Sequence, residues 1–222
     1  MFGIILTIIA FEIGVSIRNK WRYPLLNPIL IATILIIGFL TITGISYDTY
    51  KVGGDYISFF LGPVTVLLAV PLYRHIQALK NNWLPILAGI TVGSATSVFC
   101  VIVCAKIFNI SKSLMLSLLP KSITIPMGSV FSEQIGGIPS ITIVSIVITG
   151  ITGAVTAPLV CRFFRIKNSV AQGVAIGTSS HALGTTKAME IGEVQGAMSS
   201  LSIGVAGVVT VFITPVLLKF FG

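Results

Sequence analysis

LMLSLLPKSITIPMGSVFSEQIGG (114–137) and VAQGVAIGTSSHALGTTKAMEIG (170–192) are the two stretches that decide the fold. Each mixes glycine or proline with serine, threonine and one lysine, between flanks apolar enough for a membrane. Proline removes a backbone donor and kinks a helix, and glycine lets the chain unwind. Irregular backbone at membrane depth is tolerated only inside protein or against a wet cavity. Both stretches are therefore expected to be broken helices or re-entrant hairpins.

The rest of the chain supplies the membrane. Of 222 residues, 55% are hydrophobic and only 9% charged, whereas soluble domains carry about 25% charged residues. A soluble fold of this size has nowhere to hide that apolar surface, and lipid contact resolves the excess. With about 20 apolar residues needed per span, runs are read at 2–17, 25–43, 57–73, 84–105, 139–161 and 199–218. The first is short and carries Glu12; Met1-Phe2-Gly3 offers neither a basic leader nor a cleavage site, so it is kept as a span. Residues 47–56 read as a polar connector holding Asp48, Lys51 and Asp55. The expected class is an all-α integral membrane protein, a multi-span helical bundle in the cell membrane.

The chain also repeats itself at a spacing of about 56–57 residues. ITGITGAVTAPLVCRFF (148–164) matches VAGVVTVFITPVLLKFF (205–221), aligning Gly150 with Gly207, Pro158 with Pro215 and Arg162 with Lys219. Upstream, Gly128-Ser129 aligns with Gly184-Thr185. The unit is a broken polar segment followed by a long span, used at 113–165 and at 169–222, with a fainter copy at 57–110. The whole, 1–222, reads as one transmembrane domain with 1–56 as its N-terminal spans. Repeats with broken helices are a recurring build of secondary transporters, with the site where the breaks meet.

Net charge is +8, but the bases are scattered between apolar runs rather than clustered. That pattern suits orientation by the positive-inside rule and not nucleic acid. Placing Arg18/Lys20/Arg22, Arg74/Lys80 and Arg162/Arg165/Lys167 on one side requires 113–137 not to cross completely. Cys100, Cys104 and Cys161 lie in apolar runs, are odd in number and imply no disulfide framework.

Pro120-Lys121-Ser122-Ile123-Thr124-Ile125-Pro126 is the sharpest feature. An ionised group in a membrane interior marks a pathway by default. Lys121 would neutralise an anion such as a carboxylate, and Ser122 and Thr124 would donate hydrogen bonds. The alternative is a helix-end lysine reaching for the interface. Thr178-Ser179-Ser180-His181 with Gly184-Thr185-Thr186 is the second candidate lining. His181, which titrates near neutral pH, and Glu12 are candidates for proton coupling; a histidine that merely holds the broken segment in shape is the alternative. Lys187 sits near the segment's end, where reaching for the interface is the simpler reading. Catalysis is not expected: GxSxG and HExxH are absent, and GTSSHALGTTK (177–187) is only loosely similar to a phosphate loop. Neither a cofactor nor a metal site is expected.

LGPVTVLLAVPLYRHI (61–76), SLLPKSITIPM (117–127), GGIPSIT (136–142) and VAQGVAIGTSSHALGTTKAMEIGEVQGAMSSL (170–201) together resemble the LrgB/CidB family over nearly the whole chain. Val64 stands where that family often has alanine, a small departure. The resemblance implies two functions. One is antiholin-like or holin-like control of murein hydrolase export and autolysis, with a small holin-like LrgA/CidA-type membrane protein as partner. The other is transport of small monocarboxylates such as pyruvate, glycolate or glycerate, since the plastidal glycolate/glycerate translocator of plants contains a domain of this kind. The expected partners are thus a small carboxylate, the lipid bilayer and the holin-like protein; a homo-oligomer is left open. For the regulatory reading, the expected surface is a lipid-facing stripe of small residues at Ala197, Gly204 and Gly207.

Overall fold

A computed structural model of the chain describes residues 1–21, 26, 28–60, 63, 73 and 76–221, with the side chains of 78 and 79 excepted. Arg22, Gly62, Val64, Pro71, Arg74, His75 and much of the faint third repeat lie outside the described residues. The described chain is helical. It forms two compact units, Met1–Leu67 and Leu68–Gly222.

The first unit contains α1 (Phe2–Trp21), α2 (Pro28–Thr43) and α3 (Tyr47–Phe59). The expected polar connector is α3, a helix. Ser46 caps it in extended conformation, accepting from the Thr49 N–H at 3.4 Å, and Asp48 complements the positive helix start. Helices α1 and α3 meet through glycine: a Cβ on Gly53 would lie 2.7 Å from the Gly3 Cα, a distance only bare backbone allows. Thr7 Oγ1 and the Tyr50 hydroxyl pair across the same contact at 2.9 Å.

The second unit contains α4 (Ile76–Asn81), α5 (Trp83–Ile107), α6 (Lys112–Leu118), α7 (Ile125–Gln134), α8 (Pro139–Phe163), α9 (Ser169–Ile191) and α10 (Glu193–Phe221). Among the described residues, four helical stretches are long and apolar enough to cross a membrane: Phe2–Trp21, Lys80–Ile107, Pro139–Phe163 and Glu193–Phe221. Helix α2, at 16 residues, is apolar but shorter.

The 114–137 segment breaks where proline dictates. Helix α6 stops before Pro120, which has no N–H to donate back to it. A tight turn follows, with Lys121 N–H on the Leu118 carbonyl and Ile123 N–H on the Pro120 carbonyl, both 3.2 Å. Thr124 is extended, and Pro126 falls in the first turn of α7, where a missing donor costs nothing. At 7 and 10 residues, α6 and α7 rise about 10 and 15 Å, each well short of a hydrocarbon core of about 30 Å. Three buried hydroxyls clasp the break: Thr142 Oγ1 of α8 lies 2.8 Å from the Ser117 carbonyl and 2.7 Å from Ser132 Oγ. Ser117 Oγ also accepts from the Ile138 N–H at 2.7 Å.

The second segment bends at a single residue. Helix α9 has one non-helical position, His181, at φ 43 and ψ −140. A Cβ on Gly184 would lie 3.1 Å from Ile176 Cγ2, eight residues back, whereas eight residues of straight helix rise about 12 Å. Both arms rest on one stretch of α10. Gly173 meets Gln195 and Gly177 meets Ser199 along the first arm; Thr185 meets Ser199 and Gly196 meets Met189 along the second. Contacts climb together on the first arm and in opposite order on the second, so α9 doubles back at His181. The glycines expected to unwind this segment serve close approach instead. Gly173, Gly177 and Gly184 sit on helical backbone, the first two against α10 main chain and Gly184 against Ser180 and Ile176, and within the helix His181 departs from it.

Two buried clusters hold the unit. Val98, Val101, Ile102 and Ala105 of α5 pack with Met115, Leu116 and Leu119. Ile86 and Ile90 pack with Val174, Ala197, Met198 and Ala206.

Candidate functional site

A cavity of about 730 Å³ lies in the second unit among α5, α8, the first arm of α9 and the proline turn. The sequence lines it with small and hydroxylated side chains at helical spacing: Gly89, Gly93, Ser97 and Cys100 on α5, Thr149, Thr152, Gly153 and Thr156 on α8, and Thr178, Ser179 and Ser180 on α9. Small residues keep the space open, and hydroxyls make it wettable. Lys121 and Ser122 enter from the turn.

Lys121 is half-buried, and its Nζ donates to Ser97 Oγ at 2.9 Å and to Ser122 Oγ at 3.2 Å. The two hydroxyls also pair with each other at 2.9 Å. An ammonium carries three donors; two are used here, and no ion pair is made by Lys121 among the described residues. A cation held by neutral hydroxyls on a cavity wall is suited to an anion, which supplies the missing counter-charge. Thr178 Oγ1, also on the wall, is buried without a hydrogen-bond partner among the described residues. Ser179 and Ser180 hydroxyls pair at 2.9 Å, and Ser180 packs on Gly153, where any Cβ would collide with its hydroxyl.

Of the residues singled out in the sequence, Lys121, Ser122, Thr178, Ser179 and Ser180 meet on this cavity. The others are not among its lining residues. Pro120 is buried in the turn, Thr124 precedes α7, and Pro126 is exposed. His181 is 3% exposed, its Nε2 2.8 Å from the Ile146 carbonyl oxygen and its ring against Gly150. Gly184 packs on Ser180 and Ile176. Thr185 Oγ1 lies 2.9 Å from the His181 carbonyl and 2.7 Å from Ser199 Oγ. Thr186 is exposed and donates to the Ala182 carbonyl. Lys187 pairs with Glu190 at 2.9 Å. Glu12 is exposed on α1, in the first unit. Among the described residues, no group of three His, Cys, Asp or Glu side chains is placed to hold a metal.

Ser97 is the residue that sequence reasoning missed. It sits in a run read as a plain span. The available signal is Gly89, Gly93 and Ser97 at four-residue spacing, one small face on an otherwise bulky helix. Of the small residues expected to face lipid, Ala197 and Gly207 are buried within the unit, Gly207 against Met127, and only Gly204 is exposed. Their burial follows from the same smallness, which draws helices of the unit itself together.

Comparison with known proteins identifies the family. The LrgB-like family model matches residues 7–220. Proteins named antiholin-like protein LrgB, from Bacillus cereus (strain B4264) and Bacillus anthracis (strain CDC 684 / NRRL 3495), are 38% identical over 222 residues, covering 100% of this chain and 96% of theirs. No solved structure matches. With its full-length match and four membrane-length helices, the chain is a multi-pass membrane protein and belongs to the LrgB-like family.

Proposed function

We propose that this protein passes small monocarboxylates, of the pyruvate, glycolate and glycerate class, across the cell membrane through the Lys121 cavity. The observation that carries the reading is the Lys121 ammonium, held by Ser97 and Ser122 on a hydroxyl-bearing wall with no carboxylate partner among the described residues. Lys121 meets the substrate carboxylate, and Ser122, Thr178, Ser179 and Ser180 offer hydrogen bonds along the path. The repeat supports the same reading. In each copy a polar segment turns back, and a glycine packs on a carbonyl eight residues earlier: a Cβ would lie 3.4 Å from the Pro120 oxygen at Gly128 and 3.2 Å from the Ile176 oxygen at Gly184. Two re-entrant hairpins entering from opposite faces would bring their tips together, the arrangement of inverted-repeat carriers. Control of autolysis would then follow from metabolite flux. His181 is a positioning group in this reading, with Nε2 held 2.8 Å from the Ile146 carbonyl oxygen.

A second reading is favoured by the relatives' shared name, antiholin-like protein LrgB, which speaks for it more directly than for transport. Here the chain regulates murein hydrolase export through a small holin-like membrane partner of the LrgA/CidA type. The deciding experiment is uptake of radiolabelled pyruvate and glycolate into proteoliposomes, with and without a proton gradient. Saturable uptake supports the carrier. No uptake by folded protein, alone and again with the holin-like partner, leaves the regulator.

A further inference from the structure

A second cavity, of about 340 Å³, adjoins the Lys121 cavity. Cys161 and Ile166 line both. The charged residues around the second cavity are Arg162, Arg165 and Lys167, all basic and all exposed. The local fold fixes the backbone that carries these charges. The Ile166 N–H donates to the Cys161 carbonyl at 2.8 Å, and Arg165 takes φ 53. That is the left-handed closing turn of a helix, a position glycine usually fills. Here an arginine fills it. Gln172 Nε2 then donates to the Ile166 carbonyl at 2.7 Å, and Gln195 Nε2 to Gln172 Oε1 at 3.0 Å, tying the turn to α9 and α10. Toward the opposite end of α5, beyond Cys100, Val101, Ile102, Met115, Leu116 and Leu119 pack into a buried cluster, and a further cavity of about 630 Å³ beside Lys106 and Lys112 shares no lining residue with the Lys121 cavity.

We infer that Arg162, Arg165 and Lys167 form the anion-gathering mouth of the Lys121 cavity, entered past Cys161 and Ile166. The inference rests on the anion-carrier reading of that cavity and adds its side of access. Three like charges around a concave, low-dielectric wall focus field lines and raise the local concentration of small anions, typically by ten- to a thousandfold, an effect that salt weakens. A role in membrane orientation alone would need neither the adjoining cavity nor the arginine in the left-handed turn.

The test reads access without any carboxylate. In a Cys100→Ala/Cys104→Ala background Cys161 is the single thiol. Its rate of modification is measured in detergent with the anionic sulfonatoethyl and the cationic trimethylammonioethyl methanethiosulfonates. The anionic-to-cationic rate ratio is expected to fall about tenfold or more when Arg162→Gln, Arg165→Gln and Lys167→Gln are combined, on the steering scale above. It should fall likewise at ~1 M salt, where the screening length is about 3 Å, and be kept by Arg162→Lys/Arg165→Lys. An Ile166→Cys variant on a Cys161→Ala background repeats the measurement at the other neck residue. An unchanged ratio in the glutamine variant, or no reaction at either neck position, overturns the mouth. Steered labelling with no uptake of any carboxylate sinks the carrier reading and leaves an anion-gathering mouth. Saturable uptake with unsteered labelling does the reverse.

Discussion

Replacing Lys121 by methionine separates a pathway cation from a lysine that only reaches for the interface. The substitution keeps the unbranched stem and removes the ammonium. Ser97 and Ser122 stay paired with each other at 2.9 Å, so neither hydroxyl is orphaned, and the loss of stability should stay within about 1 kcal/mol. The loss to transport is larger. A charge-assisted hydrogen bond to a substrate carboxylate contributes about 1.5–3 kcal/mol, and at about 1.4 kcal/mol per factor of ten the apparent kcat/KM should drop by roughly ten- to a hundredfold or slightly more. The assay is initial-rate uptake of radiolabelled pyruvate and glycolate into proteoliposomes, alongside the melting temperature in detergent. Lys121→Arg, which keeps the charge but not the reach, should fall between parent and Lys121→Met. Saturable uptake by Lys121→Met within about twofold of the parent, with an unchanged melting temperature, would remove Lys121 from the pathway and return it to the interface.

A Cβ at Gly177 would lie 2.8 Å from the Ser199 Cα and collide with the Ser199 carbonyl oxygen, so Gly177→Ala should lower stability by about 1–3 kcal/mol. Gly204→Ala, with nothing within 4 Å of its Cβ, should melt within about 0.5 kcal/mol of the parent; equal melting of both variants would contradict the contact between α9 and α10. His181→Ala keeps the disfavoured backbone and removes the bond to Ile146, so it should cost about 1–3 kcal/mol, while His181→Gly should recover part of that because glycine adopts positive φ freely. If His181 holds shape rather than carrying a proton, the pH profile of uptake in His181→Gln should match the parent's, and a shifted profile would restore the coupling role.

How far the site could be read in advance depended on how local each cause was. Pro120 ends a helix by its own covalent structure, so the break and the isolation of Lys121 were legible from one short stretch. The hydroxyls of Thr178, Ser179 and Ser180 were legible as a polar run inside an apolar chain. Ser97 was hidden because its span also holds Ser94 and nothing local tells the two apart; its value comes from facing the proline turn 24 residues later. The glycines of α9 misled because glycine serves two ends, unwinding and close approach, and only the neighbour decides which. Those of α9 have α10 main chain or the helix's own opposite arm against them.

From sequence alone came an all-helical membrane protein, a proline-broken segment with a lysine beside the break, and the motifs that mark the family, because run length, proline and side-chain identity act through the residues that carry them. The tertiary structure decided which hydroxyls surround Lys121, that α9 reverses at His181 with its ring turned to the Ile146 carbonyl, and that the basic turn after α8 adjoins the same cavity. Those are matters of which helix faces meet, and a face acquires its partner only when residues far apart in the chain pack together.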